Sequence, residues 1–432
     1  MITIKFFMIK QKINQIIRKI LNSEFNRNVL TLVTGTIIAR AIPFIITPFL
    51  LRLYTPEDFG SYALILSFVG ILSVTVTARY DLAIMLPKSE KTAQSILFLT
   101  FFLVVVMTTI IFVTILVFDD FLNSYFKLEI YLLIPALVLL SGFYQPLKIF
   151  LNRKKAYKSM AVNNMEQSST IGFAQLIFGW FNYNFYGLIL GQLSGQIVSV
   201  TRFFIYSKRL SNLSLSKVVF LRALASFKKY FYLLKFGLPA LLTSRAAAES
   251  MIILVGYFMS MGMAGYVSVL NRVVSIPSSI LSSNMEDVFY QKITETKKNK
   301  SFPLVKSFFL KLLVFSIPIF LIFYLILKYT FILYFGEDWA EALKYMPYLL
   351  IVATFSFIFS PISILFHYYE AQGWNLIWQS IWLISNILIF FIYKFFSLTI
   401  NEFFLVYSLK QSLLYIIGIY SFIRYAKKIY KV

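Results

Sequence analysis

Residues 95–118, SILFLTFFLVVVMTTIIFVTILVF, run the thickness of a bilayer without one charged side chain. At about 1.5 Å of rise per residue, about 20 such residues cross the hydrocarbon of a membrane as a helix. A helix is also the form that satisfies every backbone N–H and C=O within one lipid-embedded segment. This stretch therefore decides the fold class, and the remainder of the chain repeats it. Of 432 residues, 59% are hydrophobic and 14% charged, against roughly 25% charged in a soluble domain. A soluble enzyme is excluded. Working outward, the apolar runs predict an all-α integral membrane protein with about twelve transmembrane helices. The spans fall near 29–53, 60–85, 95–118, 129–150, 161–181, 185–206, 232–257, 264–290, 306–330, 345–367, 374–393 and 401–423. Prolines such as Pro43, Pro135, Pro239, Pro277, Pro318 and Pro361 fall inside these runs, where lipid-embedded helices tolerate them as kinks.

Lys and Arg set the orientation. The chain holds 41 of them against 18 acids; in a polytopic protein this excess belongs to cytoplasmic loops, not to nucleic acid. Alternate connections carry very unequal numbers. One side includes the N-terminus (Lys5 to Arg27), Lys88 and Lys91, Lys148 to Lys158, Arg202 to Lys235, Lys292 to Lys311 and the tail. The other side has Arg52, Lys127, Lys328, Lys344 and Lys394. Both termini are thus expected in the cytoplasm. Residues 1–28 lack the pattern of a cleavable signal peptide and read as a basic amphipathic segment on the membrane face, with Met8 as an alternative start. There is no Cys and one His, which argues against a disulfide framework or a bound metal cofactor. No cofactor is expected.

The polar connection 207–231 divides the spans six and six, predicting an N-terminal lobe at 29–206, a linker, a C-terminal lobe at 232–423 and a basic tail at 424–432. Its apolar residues, Val218 to Leu221 with Leu224 and Phe227, are expected along the membrane surface. An internal echo supports two related halves. Arg40 precedes Gly60 by 20 residues with Tyr62 following, and Arg245 precedes Gly265 by the same 20 with Tyr266 following.

Five cations remain inside the apolar runs: Arg40, Arg79, Arg245, Arg272 and Lys410. A charge at mid-bilayer costs at least about 2.5–3.5 kcal/mol, so each implies a counter-ion, a wet cavity or an anionic ligand. Arginine keeps its charge and binds phosphate through a planar two-pronged fork. The four arginines are therefore candidate ligands for a diphosphate. The plainer reading pairs them internally, Arg245 with Glu249 four residues on, or Arg79 with Asp81. Glu249, Asp81 and Glu166 are the candidate counter-ions or coupling groups for H+ or Na+. Asn163, Gln175, Gln196 and Gln411 are expected chiefly as helix glue, and Gly191 and Gly195 as a close-packing seam.

Four strings resemble a known family. Tyr54-Thr-Pro-Glu-Asp-Phe-Gly-Ser-Tyr-Ala63 resembles the first outer loop of bacterial polysaccharide exporters, and Arg79-Tyr-Asp-Leu-Ala-Ile-Met-Leu-Pro-Lys88 the end of their second span. Leu151-Asn-Arg-Lys-Lys-Ala-Tyr157 and Phe335-Gly-Glu-Asp-Trp-Ala-Glu-Ala342 are similar to loops after spans four and nine. With twelve spans in two sets of six, the chain resembles the O-antigen and capsule flippases of the multidrug/oligosaccharidyl-lipid/polysaccharide (MOP) exporter superfamily. The resemblance implies a MATE-like pair of six-helix lobes around a cationic central cavity. It also implies transfer of undecaprenyl-diphosphate-linked oligosaccharide from the inner to the outer leaflet of the bacterial cytoplasmic membrane, coupled to H+ or Na+. Arg40, Arg79, Arg245 and Arg272 would face the diphosphate. Membrane lipids and other polysaccharide assembly proteins are the implied partners, and no catalytic residue is expected. The competing readings are a cation-coupled multidrug exporter and a non-transporting scaffold for polysaccharide assembly. A membrane-embedded glycosyltransferase would need larger outer loops than this chain has.

Overall fold

The computed structural model describes residues 24–118, 133–210, 217–369 and 371–430. The expected surface segment up to residue 23 and the whole of the 119–128 connection lie outside the described residues. Every described element is helical. Within unit boundaries given below, the helices are α1 (Glu24–Leu50), α2 (Pro56–Val76), α3 (Tyr80–Ala83), α4 (Glu90–Val117), α5 (Leu133–Arg153), α6 (Tyr157–Trp180), α7 (Asn184–Leu210) and α8 (Lys217–Lys229). They continue as α9 (Leu238–Phe258), α10 (Met261–Val274), α11 (Ile276–Thr294), α12 (Phe302–Phe335), α13 (Met346–Ile362), α14 (Leu365–Tyr368), α15 (Gln372–Phe395) and α16 (Ile400–Tyr430).

Each of the twelve expected spans coincides with helix, yet among the described residues eight helices are long and apolar enough to cross a membrane, or nine with a bent pair counted as one. The shortfall has physical causes. The apolar stretch of α1 within the described residues is Ile38–Leu50, and the hydropathy of the continuous α6 is lowered by Asn163, Asn164, Glu166 and Gln167. The span expected at 264–290 is broken at Ser275, just before Pro277 at the head of α11. The span expected at 345–367 is bent by 60° against the turns of 3₁₀ helix at Glu337–Lys344. Large apolar side chains stay uncovered along the spans, Phe315, Leu321, Tyr329 and Leu333 on α12 among them. Such a band is what lipid covers, and the chain is a multi-pass membrane protein.

The helices gather into two compact units. One comprises Met1–Ile46, Ser73–Ile177 and Leu190–Lys235; the other comprises Thr47–Leu72, Phe178–Ile189 and Phe236–Val432. These bounds differ from a 29–206 and 232–423 division, because 47–72 and 178–189 group with the later half.

In the first unit, α8 packs along α4. Ala223 is buried there, and the Phe227 ring stacks on Tyr80 at 5.3 Å, while Leu221 and Leu224 stay uncovered. The linker's apolar residues therefore serve two faces, one packed and one open. Gly191 and Gly195 of α7 abut α6, where added Cβ atoms would collide with Gln175 and Ile171, as the small-residue spacing implies. Asn163 donates to Ser199 Oγ at 2.6 Å and Gln196 to Ser141 Oγ at 3.3 Å, so these amides bind helix to helix.

In the second unit, the start of α2 is fixed by a reciprocal cap. Asp58 accepts from the Thr55 N–H at 3.0 Å, and Thr55 Oγ1 accepts from the Asp58 N–H at 3.2 Å. Pro56 occupies the first turn, where its missing N–H costs nothing. Asp58 also accepts from the Phe185 N–H at 2.9 Å, tying the head of α7 to that of α2. Long-range packing in this unit centres on α9 against α15, and α13 against α16.

Candidate functional site

The two outer-loop strings meet in the second unit. α2 and α10 cross with their backbones in contact at Gly60 and Gly265. A Cβ added at Gly60 would run into the Met261 carbonyl, and one added at Gly265 into the Pro56 carbonyl. Met261 and Pro56 each stand four residues before the glycine of their own helix, so the contact is reciprocal. The two glycines of the 20-residue echo thus meet at one crossing. Trp339, fully buried, closes it from above: its Nε1 donates to the Leu51 carbonyl at 2.9 Å, and its ring meets Phe59 edge-on at 5.4 Å. Tyr266 packs edge-on to Trp339 and donates to the Asp338 carbonyl at 3.3 Å, while Arg52 donates to the Leu333 carbonyl at 3.2 Å. Burial, and then the nearby Asp58 carboxylate, push the Tyr54 phenol up, so this ring stays neutral against Gly179 and Gly187. Tyr62 is buried, and Tyr80 is enclosed with its hydroxyl donating to the Phe227 carbonyl at 2.8 Å. Tyr62 and Tyr80 are core residues.

The four arginines divide between the units. In the first, Arg40 of α1 is uncovered and lies close enough to Lys148 of α5 for their like charges to oppose each other. Lys148, expected at the cytoplasmic end of span four, lies within α5, half-buried, 5.7 Å from the Tyr144 ring centre. Arg79 does not sit in a span. α2 ends at Val76, and Arg79 takes a left-handed conformation (φ 65°) heading the short α3. Its Nε finds no hydrogen-bond partner among the described residues. Asp81 beside it is buried and accepts from Thr77 Oγ1 at 3.1 Å, within the field of Arg79.

In the second unit, Arg245 of α9 is uncovered, with Glu249 one turn on. Glu249 leans on Gly70 of α2 beside Ser67, and a Cβ at Gly70 would sit 3.2 Å from its Oε1. Arg245 acts on Glu249 through space, without an ion pair within 4.0 Å. Arg272, near the end of α10, is half-buried and reaches Thr47 Oγ1 at 3.4 Å.

Glu166, a candidate counter-ion or coupling group, has its partner on another helix. It forms an ion pair with Arg202, which also donates to Tyr206 at 3.2 Å and lies over its ring. Arg202, expected on the cytoplasmic side, lies within α7, which runs on to Leu210. No local pattern signals that partnership, because the two residues are 36 apart in the chain.

A family described as polysaccharide biosynthesis protein matches residues 49–344. No curated protein matches the chain. Among solved structures, the fold is similar to the lipid II flippase MurJ in an inward closed conformation, with a TM-score of 0.68 at 14% identity, over 93% of this chain and 90% of that one. It is also similar to a multidrug resistance MATE family transporter of the MOP superfamily in an inward-facing conformation, with a TM-score of 0.55 at 13% identity, over 92% of this chain and 99% of that one. At such identities the likeness is one of fold: the helices follow the MOP arrangement.

Proposed function

This chain belongs to the polysaccharide biosynthesis protein family, and we propose that it is the flippase of a glycan pathway. Its substrate is an undecaprenyl-diphosphate-linked oligosaccharide, moved from the inner to the outer leaflet of the bacterial cytoplasmic membrane by alternating access and coupled to H+ or Na+. Both termini are cytoplasmic in this reading. The observation that carries it is the cationic character of the first unit's helices, where Arg40 of α1 lies near enough to the half-buried Lys148 of α5 for their charges to oppose each other.

The physics favours an anionic substrate. Two like charges in a low-dielectric setting repel, and a diphosphate between or beside them removes that repulsion while its own charge is neutralised. Arg40 offers the planar fork and Lys148 a point charge. Arg245 and Arg272 supply further positive charge in the other unit. The polyprenyl tail stays in lipid throughout, so the protein need shelter only the diphosphate and sugars. A cationic drug would meet the same residues as a barrier, which weighs against multidrug export.

The test is a deletion strain complemented with wild type, Arg40→Ala, Lys148→Ala or Arg245→Ala, with membrane levels of each variant checked. Surface glycan and inner-leaflet lipid-linked units are measured. Arg40→Ala and Lys148→Ala are expected to lower surface glycan at least tenfold and to accumulate the lipid-linked unit. Full surface glycan from all three variants would sink the anion-binding reading and leave the scaffold.

A further inference from the structure

Lys410 is the fifth cation of the apolar runs, and the arginine-based reading makes no use of it. It lies ten residues into α16, about 15 Å from the start of that helix. Its Nζ donates to Asn386 Oδ1 of α15 at 2.5 Å and to Gln411 Oε1 at 3.1 Å, and stands 4.9 Å from the centre of the Tyr407 ring. Asn386 is 1% exposed and passes the contact on: its Nδ2 donates to Ser250 Oγ of α9 at 2.8 Å and to the Ala247 carbonyl at 3.3 Å. One ammonium thus anchors a chain of hydrogen bonds through three spans.

The surroundings hold no counter-charge. No carboxylate lies within ion-pair distance of Lys410 among the described residues. On its own helix the titratable neighbours are the phenols of Tyr407 and Tyr415; Tyr415 engages Gln411 and Ser356 of α13. α13 has no charged residue, and the one charge on α15, Lys394, sits about two turns beyond Asn386. α12 brings only cations, Lys306, Lys311 and Lys328. On α9, Glu249 is turned to Ser67 and Gly70 of α2, under the field of Arg245.

We propose that Lys410 is a reversible proton-binding site whose proton is the ion coupled to substrate movement. This rests on the flippase reading. An intramembrane ionisable side chain is costly and marks function, and a lysine amine, unlike a guanidinium, can give up its proton inside a protein. With the proton bound, Nζ is charged and its bonds to Asn386 and Gln411 are charge-assisted, as is its contact with Tyr407. When the proton leaves, the neutral amine keeps two N–H donors and gains a lone pair. The tie from α16 through Asn386 to α9 then loses its ionic strength. Proton occupancy biases how firmly three spans are held, which is the kind of element that coupling needs. Glu249, Asp81 and Glu166 were the sequence candidates for this role; Glu166 is held by Arg202 and Asp81 by Thr77.

Two measurements on the full chain test it, each with Lys410→Arg, which keeps charge and donors but holds its proton, and Lys410→Met, which carries none. The first follows the melting of detergent-purified protein from roughly pH 5.5 to 9. Wild type is expected to show a one-proton step that both variants lack; parallel profiles for all three overturn the proposal. The second adds undecaprenyl diphosphate to vesicles holding the protein and a lumenal pH dye. Lys410→Arg is expected to bind this lipid within about twofold of wild type while its lumenal pH response falls at least tenfold. A wild-type response from Lys410→Arg overturns the coupling role. If wild type itself does not bind the lipid, the flippase reading fails and the coupling falls with it, while the melting profiles decide the proton site by themselves.

Discussion

The glycine crossing and the Lys410 network lie in the same unit and both hold helices together, by opposite means. At Gly60 and Gly265 the side chains are deleted so that two backbones touch, and Trp339 seals the junction with a ring and one hydrogen bond. Around Lys410 the side chains are polar, and the join is made of directed bonds through Asn386 to Ser250. A contact made by absence has no adjustable part, so any added atom must move a backbone. A contact made of hydrogen bonds can weaken by degrees, because each bond depends on charge and protonation. The first suits a fixed junction and the second a switch.

The sharpest way to break this contrast is to fill the crossing. Gly60→Leu or Gly265→Leu is expected to destabilise by about 4 kcal/mol or more, since backbone carbonyls cannot step aside. Gly373→Leu, where an added Cβ meets nothing, is the matched control and should shift the melting temperature little. Equal shifts at Gly265 and Gly373 would end the account of the crossing. Trp339→Ala comes next, at about 3–5 kcal/mol for loss of a fully buried ring. Denaturation in detergent reads both.

The polar join should respond less and differently. Asn386→Ala removes the acceptor of Lys410 and the donor to Ser250, an expected loss of about 1.5–3 kcal/mol. A melting shift as large as that of Gly265→Leu would place the network with the rigid junctions. Thr55→Ala, which opens the cap of α2, should cost about 1 kcal/mol. Smallest is Glu166→Gln: its pair with Arg202 is about a third exposed on both sides, so less than about 1 kcal/mol is expected. Loss of surface glycan in a well-expressed Glu166→Gln strain would return that carboxylate to the list of coupling groups.

The spans were legible because lipid imposes one rule on every residue of a segment, and an apolar run of sufficient length obeys it visibly. The start of α2 at Pro56, four residues before the expected 60, is set by the Thr55 and Asp58 cap, which a hydropathy reading does not see. Gly60 and Gly265 stood out by spacing, although their contact did not. That Lys148 and Arg202 lie within helices was not legible, because a count of cations between spans carries no record of where a helix ends. Glu166 looked available because its partner lies on another helix.

Residue by residue, then, the sequence by itself determined an all-helical membrane protein, the position of most spans and a short set of costly intramembrane charges. Those follow from local hydropathy and local hydrogen bonding. The tertiary structure decided what the polar groups of the spans meet: Arg40 the field of Lys148, Glu166 the guanidinium of Arg202, Lys410 the amide of Asn386. It also decided that two glycines 205 residues apart in the chain share one crossing. Helix packing brings distant residues within a few ångströms through the shape of whole faces, and no stretch of sequence shorter than the fold contains that information.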